Sequence, residues 1–384
     1  MTDSGSRPLP LDGLTVLDLG QIYQGPYAGF LLAQAGADVI KVEPPAGDPT
    51  RGTATGRRPM AAFAMLNSNK RSVVLDLKSD IGKAQLVALA RTADVLLENY
   101  APGVLDKLGV GADVLTEANP RLVYASGTGF GLSGPNRDNL AMDVTIQAFT
   151  GVMSVTGYPE NPPVKSGAAF IDFLGGVHLY AGIVTALVER ERTGRGRVVE
   201  TAMADAVFPT LASNLGAFYA RGETTRTGNK HGALALTPYD VYETADGFYA
   251  MIVINERQWA GLCVAMGQPE LAVDERFADN RSRVQHMAEL DAIINAWGRT
   301  VSRDEAVRRI SEQRVPVAPV RDLDEVTNDA HFHERGTLEW QDHPESGRVA
   351  VMRSALRFHG SALPKLDPAP TLGAHTDEVL GELS

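Results

Sequence analysis

The chain has 384 residues, a length that predicts two or three domains, and 44% of them are hydrophobic and 22% charged, as in soluble globular proteins. Its 36 basic and 47 acidic residues leave a net charge of −11, which argues against nucleic-acid binding. Cys263 is the single cysteine, so an intramolecular disulfide and a cysteine-based metal site are excluded. Residues 1–10 are polar and lack the apolar core of a signal peptide, so we expect a cytoplasmic protein.

The first half of the chain alternates short apolar runs with helix-length segments. Strands are predicted at residues 15–19, 38–42, 72–77, 94–98 and 121–125, and helices at 27–35 and 81–91. Strands that are separated by helix-length segments form right-handed βαβ units. This half therefore predicts an α/β domain with a mostly parallel sheet.

A mostly apolar segment, residues 168–188, is nearly long enough to span a bilayer. It contains Asp172 and His178, and a charged side chain is costly inside the bilayer core. We therefore predict a helix that is buried inside a soluble protein or at a subunit interface, with no membrane partner.

The pattern changes beyond Asp205. A hairpin is predicted from the runs 237–242 and 247–254, which are joined through the turn Ala245-Asp246-Gly247. Helices are predicted at residues 259–266, 287–300 and 303–313, and an edge strand with two prolines at 315–320. These elements predict a smaller α+β domain.

Most familiar catalytic motifs are absent from the sequence. The string Gly127–Gly134 is similar to a dinucleotide-binding loop, but its third required glycine is Leu132 and no helix follows, so it predicts a structural turn. There is no Gly-Lys-Ser/Thr phosphate loop and no Gly-x-Ser-x-Gly elbow. His331 and His333 have no further recognisable ligands nearby, so no metal site is predicted.

Asp172 stands at the predicted start of the long apolar helix, and two roles are open to it. Aspartate is among the best N-cap residues, and the residues alone favour a cap. Alternatively, the carboxylate faces a cleft as a nucleophile, kept ionised by the helix dipole, with nearby glycines that let a substrate approach closely.

An ordered series of segments carries a resemblance to a known family: residues 11–19, 25–28, 36–44, 69–78, 94–103, 119–126, 166–172, 192–197 and 372–380. Together they resemble the family III CoA-transferases, the group that includes formyl-CoA transferase and the carnitine CoA-transferases. The resemblance extends from Leu11 to Leu383. The four-glycine run of formyl-CoA transferase has no counterpart here, and Gly228-Asn-Lys-His-Gly232 stands at that point instead.

The resemblance implies that Asp172 is the catalytic residue and that acyl-CoA and a free carboxylic acid are the substrates. The carboxylate would attack the acyl-CoA thioester, giving a mixed anhydride and then an aspartyl-CoA thioester, which is covalent catalysis without a tightly bound cofactor. One alternative is an α-methylacyl-CoA racemase, but Met142 stands where that enzyme has its histidine base. A second alternative is a non-catalytic acyl-CoA-binding protein.

The resemblance also implies substrate-binding positions. The residues matched to CoA or acyl contacts are Tyr23, Gln24, Leu75, Lys78, Asn99, Tyr100, Ala101 and Lys107. Asp143, Gly175 and Gly176 are candidate oxyanion-binding or supporting residues, because backbone amides of glycines near Asp172 or in the small domain would have to stabilise the tetrahedral oxyanion.

The implied fold is a Rossmann-like large domain with a smaller α+β domain, in a homodimer whose chains form interlocked rings. The implied boundaries are residues 1–224 for the large, CoA-binding domain, 225–323 for the small domain, and 324–384 for a segment that returns to the large domain.

Overall fold

The computed structural model of the protein describes residues 7–52, 61–343 and 347–383. They form two compact units. The first comprises Met1–Phe149, Ala168–Pro209 and Thr327–Ser384, and the second comprises Thr150–Gly167 and Thr210–Val326. Residues 1–6 and 384, which belong to the predicted large domain, lie outside the described residues.

A parallel sheet forms the centre of the first unit. Its strands are β1 (Thr15–Asp18), β2 (Asp38–Glu43), β3 (Lys70–Val74), β4 (Val95–Glu98), β5 (Val123–Thr128) and β6 (Val198–Ala202). Every pairing between them is parallel, in the order β3-β2-β1-β4-β5-β6. This is the doubly wound order of nucleotide-binding α/β folds, and it confirms the predicted α/β class.

The remaining strands lie in two antiparallel sheets. The second unit has β7 (Tyr239–Glu243), β8 (Phe248–Ile252) and β9 (Val317–Pro319) in the order β7-β8-β9, so the predicted hairpin and edge strand are confirmed. The first unit adds β10 (Leu338–His343) and β11 (Gly347–Met352) as a hairpin that the sequence did not predict.

Helices connect and cover the strands in both units. In chain order they are α1 (Gln24–Gln34), α2 (Ala61–Leu66), α3 (Asp80–Ala90), α4 (Val104–Leu108), α5 (Ala112–Ala118), α6 (Asp143–Phe149), α7 (Val152–Val155), α8 (Phe170–Thr193), α9 (Met203–Val207), α10 (Ala212–Arg221), α11 (Glu256–Met266), α12 (Asn280–Gln285), α13 (Met287–Gly298), α14 (Arg303–Glu312), α15 (Leu323–Thr327), α16 (Ala330–Glu334) and α17 (Thr376–Gly381).

Helix α8 is the long apolar segment, and its length and composition alone would suit a membrane span. Its inner face instead packs against α1, β5 and β6, where Leu179, Ile183 and Leu187 join a buried apolar cluster. The segment is therefore a core helix of the first unit.

The division into units differs from the predicted domain boundaries in three places, because residues 150–167, 210–224 and 324–326 belong to the second unit. The reason for the first difference is a set of hydrogen bonds from Arg226. Its guanidinium donates to the carbonyl oxygens of Tyr158, Pro159 and Asn161 at 2.7–3.1 Å. These bonds, which sequence spacing does not reveal, tie an irregular segment to the second unit.

Candidate active site

A cleft of about 350 Å³ opens at the carboxyl edge of the parallel sheet, beside the point where β1 and β4 are neighbours. The strand order reverses there, and open α/β sheets bind their ligands at such a point. The cleft is lined by Gln21, Ile22, Tyr23, Gln24, Asn99, Tyr100, Ala101, Pro102, Gly127, Thr128, Gly129, Arg137, Asn139, Leu140, Ala141, Met142, Asp172 and Met203. We call it the Asp172 cleft.

Asp172 is not the N-cap that the residues alone favoured. Helix α8 begins at Phe170 after the cap residue Ala169, so Asp172 is the third residue of the helix. Its side chain is 8% exposed, lines the cleft, and receives no hydrogen bond from any residue in the described ranges. The amides of Ile171 and Asp172 donate instead to Oδ2 of Asp143, at 2.9 and 3.3 Å.

The environment of Asp172 favours its protonated form. Burial, followed by the negative charge of Asp143, raises the pKa of Asp172 to about 7. The helix dipole alone would keep this carboxyl ionised, whereas burial and the charge of Asp143 act in the opposite direction. A carboxylate with a pKa near neutrality and no hydrogen bond to satisfy it is a stronger nucleophile than a solvated one.

The three candidate oxyanion-binding or supporting residues differ in the hydrogen bonds that they can form. Asp143 only accepts hydrogen bonds, so it supports the first turn of α8 and cannot stabilise an oxyanion. The amides of Gly175 and Gly176 lie beyond the first four residues of α8, whose N–H groups are the ones without helical partners. An oxyanion role for these glycines is therefore corrected; at both positions, a Cβ would collide with Gln24 or Tyr27 of α1.

The loop between β1 and α1 is held to the end of β4. The side-chain amide of Asn99 accepts from the N–H of Gln21 at 2.7 Å and donates to its carbonyl oxygen at 3.0 Å. The side chain of Gln21 donates to the hydroxyl of Tyr100 at 3.0 Å. The next residue of the loop, Ile22, has a φ of 64°, which is a strained value for a β-branched residue. Asn99 therefore positions the loop with its side chain.

Tyr23 and Gln24 end this loop, and both line the Asp172 cleft with Ala101. The ring of Tyr23 stacks on Phe173, next to Asp172, with 6.0 Å between centroids. The side chain of Gln24 is 2% exposed. The structure thus brings these two residues, Asn99, Tyr100 and Ala101 together with Asp172.

A second cavity of about 370 Å³ lies along the ends of β2 and β3. Leu75, Lys78, Tyr100 and Lys107 line it, with Gln21 and several apolar side chains from β2 and α4. Gln21 and Tyr100 belong to both cavities, so this Lys78 cavity and the Asp172 cleft adjoin along the sheet edge. All the residues matched to CoA contacts line one or both of them.

Sequence reasoning missed several residues of the cleft. Gln21 follows β1, and the rule that ligands bind at strand ends could have found it. Arg137 follows the glycine string 127–134, for which the sequence predicts a structural turn. Two residues of that string, Gly127 and Gly129, line the cleft. Within residues 7–52, 61–343 and 347–383, no group of three or more His, Cys, Asp or Glu side chains could hold a metal ion.

A family model described as CoA-transferase family III matches residues 11–376. The chain belongs to CoA-transferase family III. This family III CoA-transferase is 35% identical to succinate–glutarate CoA-transferase of Agrobacterium fabrum, over 100% of this chain and 98% of the relative. It is 39% identical to acetyl-CoA:oxalate CoA-transferase of Acetobacter aceti, over 83% and 82% of the two chains.

The fold agrees with that of a solved relative. The crystal structure of a CaiB/BaiF family protein from Brucella suis matches with a TM-score of 0.87 and 34% identity, over 98% of this chain and 100% of that one. The family III CoA-transferase described here is therefore an enzyme that acts on CoA thioesters.

Proposed function

We propose that the enzyme moves CoA from an acyl-CoA donor to a carboxylic acid through covalent intermediates on Asp172. The observation that carries this proposal is the Asp172 carboxylate itself, which is buried, open to a cleft at the sheet's switch point, and free of hydrogen bonds from described residues. A carboxylate needed only for stability would be paired with a donor or a cation.

The proposed reaction has two half-reactions. An oxygen of Asp172 attacks the thioester carbonyl, the C–S bond breaks, and CoA leaves as a thiolate, which gives a mixed anhydride of Asp172 and the acyl group. The thiolate then attacks the aspartyl carbonyl, which releases the first acid as a carboxylate and leaves CoA bound to Asp172 as a thioester. The second acid attacks that thioester, expels the CoA thiolate and forms a second mixed anhydride with Asp172. The thiolate then attacks the new acyl carbonyl, which forms the new acyl-CoA and frees the Asp172 carboxylate.

The two adjoining cavities fit an extended CoA molecule. Leu75 and its apolar neighbours in the Lys78 cavity suit adenine, and the ammonium groups of Lys78 and Lys107 suit the phosphates. Pantetheine would cross at Gln21 and Tyr100, and the thioester would reach Asp172. In a chain of net charge −11, such local cations are needed to bind a polyanion.

We propose short dicarboxylates as the acids. The named substrates of the two relatives above include succinate, glutarate and oxalate, which all carry two carboxylates. Arg137 lines the Asp172 cleft. Its side chain is 44% exposed, and its Nε lies 3.9 Å from Oδ1 of Asp138. Its guanidinium could bind the carboxylate that does not react while the other attacks.

A homodimer is also proposed, on the family resemblance and on exposed apolar surface. Helix α10 buries none of its residues within one chain, and two of its aromatic residues, Phe218 and Tyr219, are 41% and 78% exposed. Apolar aromatic surface of this kind is typical of subunit interfaces. Light scattering is expected to give twice the chain mass of 41.1 kDa.

The racemase alternative lacks its base in this cleft. Met142, the residue at the histidine position, lines the cleft and is 50% exposed, and a thioether cannot abstract a proton. Among the described residues that line the cleft there is no histidine. Proton exchange at the α-carbon of an acyl-CoA in heavy water would be the signature of that activity, and we expect none.

A panel of acyl-CoA donors and free acids, with chromatographic detection of new CoA esters, tests the proposal. Transfer to succinate should exceed transfer to butyrate, and Asp172→Asn should abolish both because an amide cannot form the anhydride. Asp113→Asn is the matched control, since Asp113 also lies in the first turn of a helix but lines neither cavity. Asp172→Asn with full activity would exclude the mechanism.

Arg137→Met tests the dicarboxylate proposal separately. It should raise the KM for succinate at least tenfold and leave the KM for butyrate and for the CoA donor unchanged. An equal rise for both acids would show that Arg137 does not recognise the second carboxylate.

A further inference from the structure

Gln24 carries a buried amide without a hydrogen-bond partner among the described residues. It is the first residue of α1, is 2% exposed and lines the Asp172 cleft. Its Nε2 finds no acceptor in the described part of the chain. Buried polar groups are paired as a rule, because an unpaired one lowers stability. An unpaired donor beside a reactive carboxylate therefore points to a ligand.

Two glycines leave the space that the Gln24 amide occupies. A Cβ at Gly127 in β5 would lie 3.0 Å from Cδ of Gln24, and one at Gly175 in α8 would lie 2.9 Å from its Nε2. Gly175 follows Asp172 by three residues, so the two share a helix face, with Cβ positions about 5–6 Å apart. The Gln24 amide therefore lies against the helix face that carries the Asp172 carboxylate.

Other donors around Asp172 are already used. The amides of Ile171 and Asp172 donate to Asp143, and those of Gly175 and Gly176 lie inside α8. The Gln24 amide forms no such bond, and its terminal torsion is soft. It can turn its N–H toward the cleft without breaking a hydrogen bond.

We propose that Gln24 is a catalytic residue whose Nε2 donates a hydrogen bond to the carbonyl oxygen under attack at Asp172. The inference rests on the proposed function. When the CoA thiolate attacks the aspartyl carbonyl, the C=O electron pair moves onto that oxygen, and the amide stabilises the charge. As the tetrahedral intermediate collapses, the pair returns to the C=O bond and the first acid leaves as a carboxylate. No proton is transferred.

Gln24→Met tests this role, because it keeps the side-chain length and removes the donor. We expect kcat to fall by about 10²- to 10³-fold, as when an oxyanion donor is removed. The KM for acyl-CoA should change little, and the melting temperature should stay the same or rise because an unpaired buried amide is gone. A purely structural residue would lose stability and activity together.

Gln34→Met is the matched control on the same helix. Gln34 is equally buried, but its Nε2 donates to Asn69 at 3.1 Å and its Oε1 accepts from the amide of Ser354 at 3.4 Å. This variant should lower the melting temperature and keep kcat. Gln24→Met with the wild-type kcat, or with kcat and melting temperature falling in parallel as in an unfolding variant, would overturn the inference.

Mass spectrometry separates this inference from the proposed function. If the wild-type enzyme forms a CoA adduct on Asp172 and Gln24→Met keeps full kcat, only the role of Gln24 is wrong. If the wild-type enzyme forms no adduct, the proposed function itself is wrong. Slow accumulation of the adduct in Gln24→Met supports both.

Discussion

At the scale of single residues, the charge of Asp172 governs the proposed chemistry. Its pKa of about 7 results from burial first and from Asp143 second. Only the ionised carboxylate attacks a thioester, so a raised pKa places the loss of activity at the acidic side of neutrality. Burial thus lowers the fraction of Asp172 that is ionised at neutral pH, and it also leaves the ionised carboxylate less solvated and therefore more nucleophilic.

The pH profile of kcat/KM for acyl-CoA should therefore fall below pH 7, by about tenfold per pH unit. Asp143→Asn keeps an oxygen that can cap α8 but removes the negative charge, so it lowers the pKa of Asp172 and shifts this limb to lower pH. Burial also raises the pKa of Glu98 to about 7. If the fall in kcat/KM stays at the same pH in Asp143→Asn, the group that titrates is therefore not Asp172.

The residues alone favoured a helix cap for Asp172 and left the role of nucleophile open; only the family resemblance favoured the nucleophile. Its position in the helix depends on Asp143, a partner 29 residues earlier in the chain that no local pattern reveals. Gln21 and Arg137 were missed for a related reason, since loop residues acquire a role only when the sheet order brings their loops together.

At the scale of elements, two buried lysines hold the loop from which Gln21 to Gln24 line the cleft. Nζ of Lys41 donates to the carbonyl of Gly20 at 2.8 Å, and Nζ of Lys70 donates to that of Pro26 at 2.8 Å. Lys70 also pairs with Asp18 at 2.7 Å, and both side chains are fully buried. The strained φ of Ile22 is thus maintained between fixed ends.

Lys70→Met should destabilise the protein by about 3–5 kcal/mol, because it leaves Asp18 as a buried charge without its partner. Chemical denaturation measures this loss. Lys83→Met is the control, since Lys83 pairs with the solvent-exposed Asp80 and such pairs contribute little. Equal stability of the two variants would contradict a structural role for the Lys70–Asp18 pair.

In the parallel sheet, the strands that sequence patterns predicted are largely buried. β1, β2 and β4 have one or no exposed residue, and their Val, Leu and Ile side chains mark them in the sequence as short buried strands. β6 has exposed residues at Val198 and Glu200 on the sheet edge, and β10 contains Glu339, Gln341 and Asp342. β6 pairs with β5, a strand far from it in the chain, and β10 pairs with the adjacent β11 in a hairpin of largely polar residues, so apolar patterns report neither strand.

At the scale of the whole molecule, the first unit offers two adjoining cavities that together could bind CoA. The predicted large domain included residues 150–167 and 210–224, which belong to the second unit; for the first of these segments, composition does not reveal the hydrogen bonds that link it to Arg226. The alternation of strands and helices, in contrast, predicted a mostly parallel sheet, although it did not give the strand order. Local patterns thus predicted the class of the sheet, whereas the division into units depends on long-range contacts that such patterns do not contain.

Lys107→Ala should raise the KM for acyl-CoA about tenfold with little change in kcat, because it removes a charge that would contact phosphate and not the reacting atoms. Lys78→Ala should act in the same direction. Initial rates at varied acyl-CoA measure the effect, with Lys83→Ala as the control on a neighbouring helix outside both cavities. An unchanged KM would remove Lys107 from the CoA site.

The central claim is that Asp172 carries the acyl group and then CoA. The direct measurement is acid-quenched mass spectrometry of the enzyme during turnover, followed by peptide mapping. The account predicts that the peptide containing Asp172 gains the mass of CoA less one water, and that hydroxylamine converts this thioester to a hydroxamate at the same residue. An enzyme that turns over with no adduct, or with the adduct on another side chain, would contradict it.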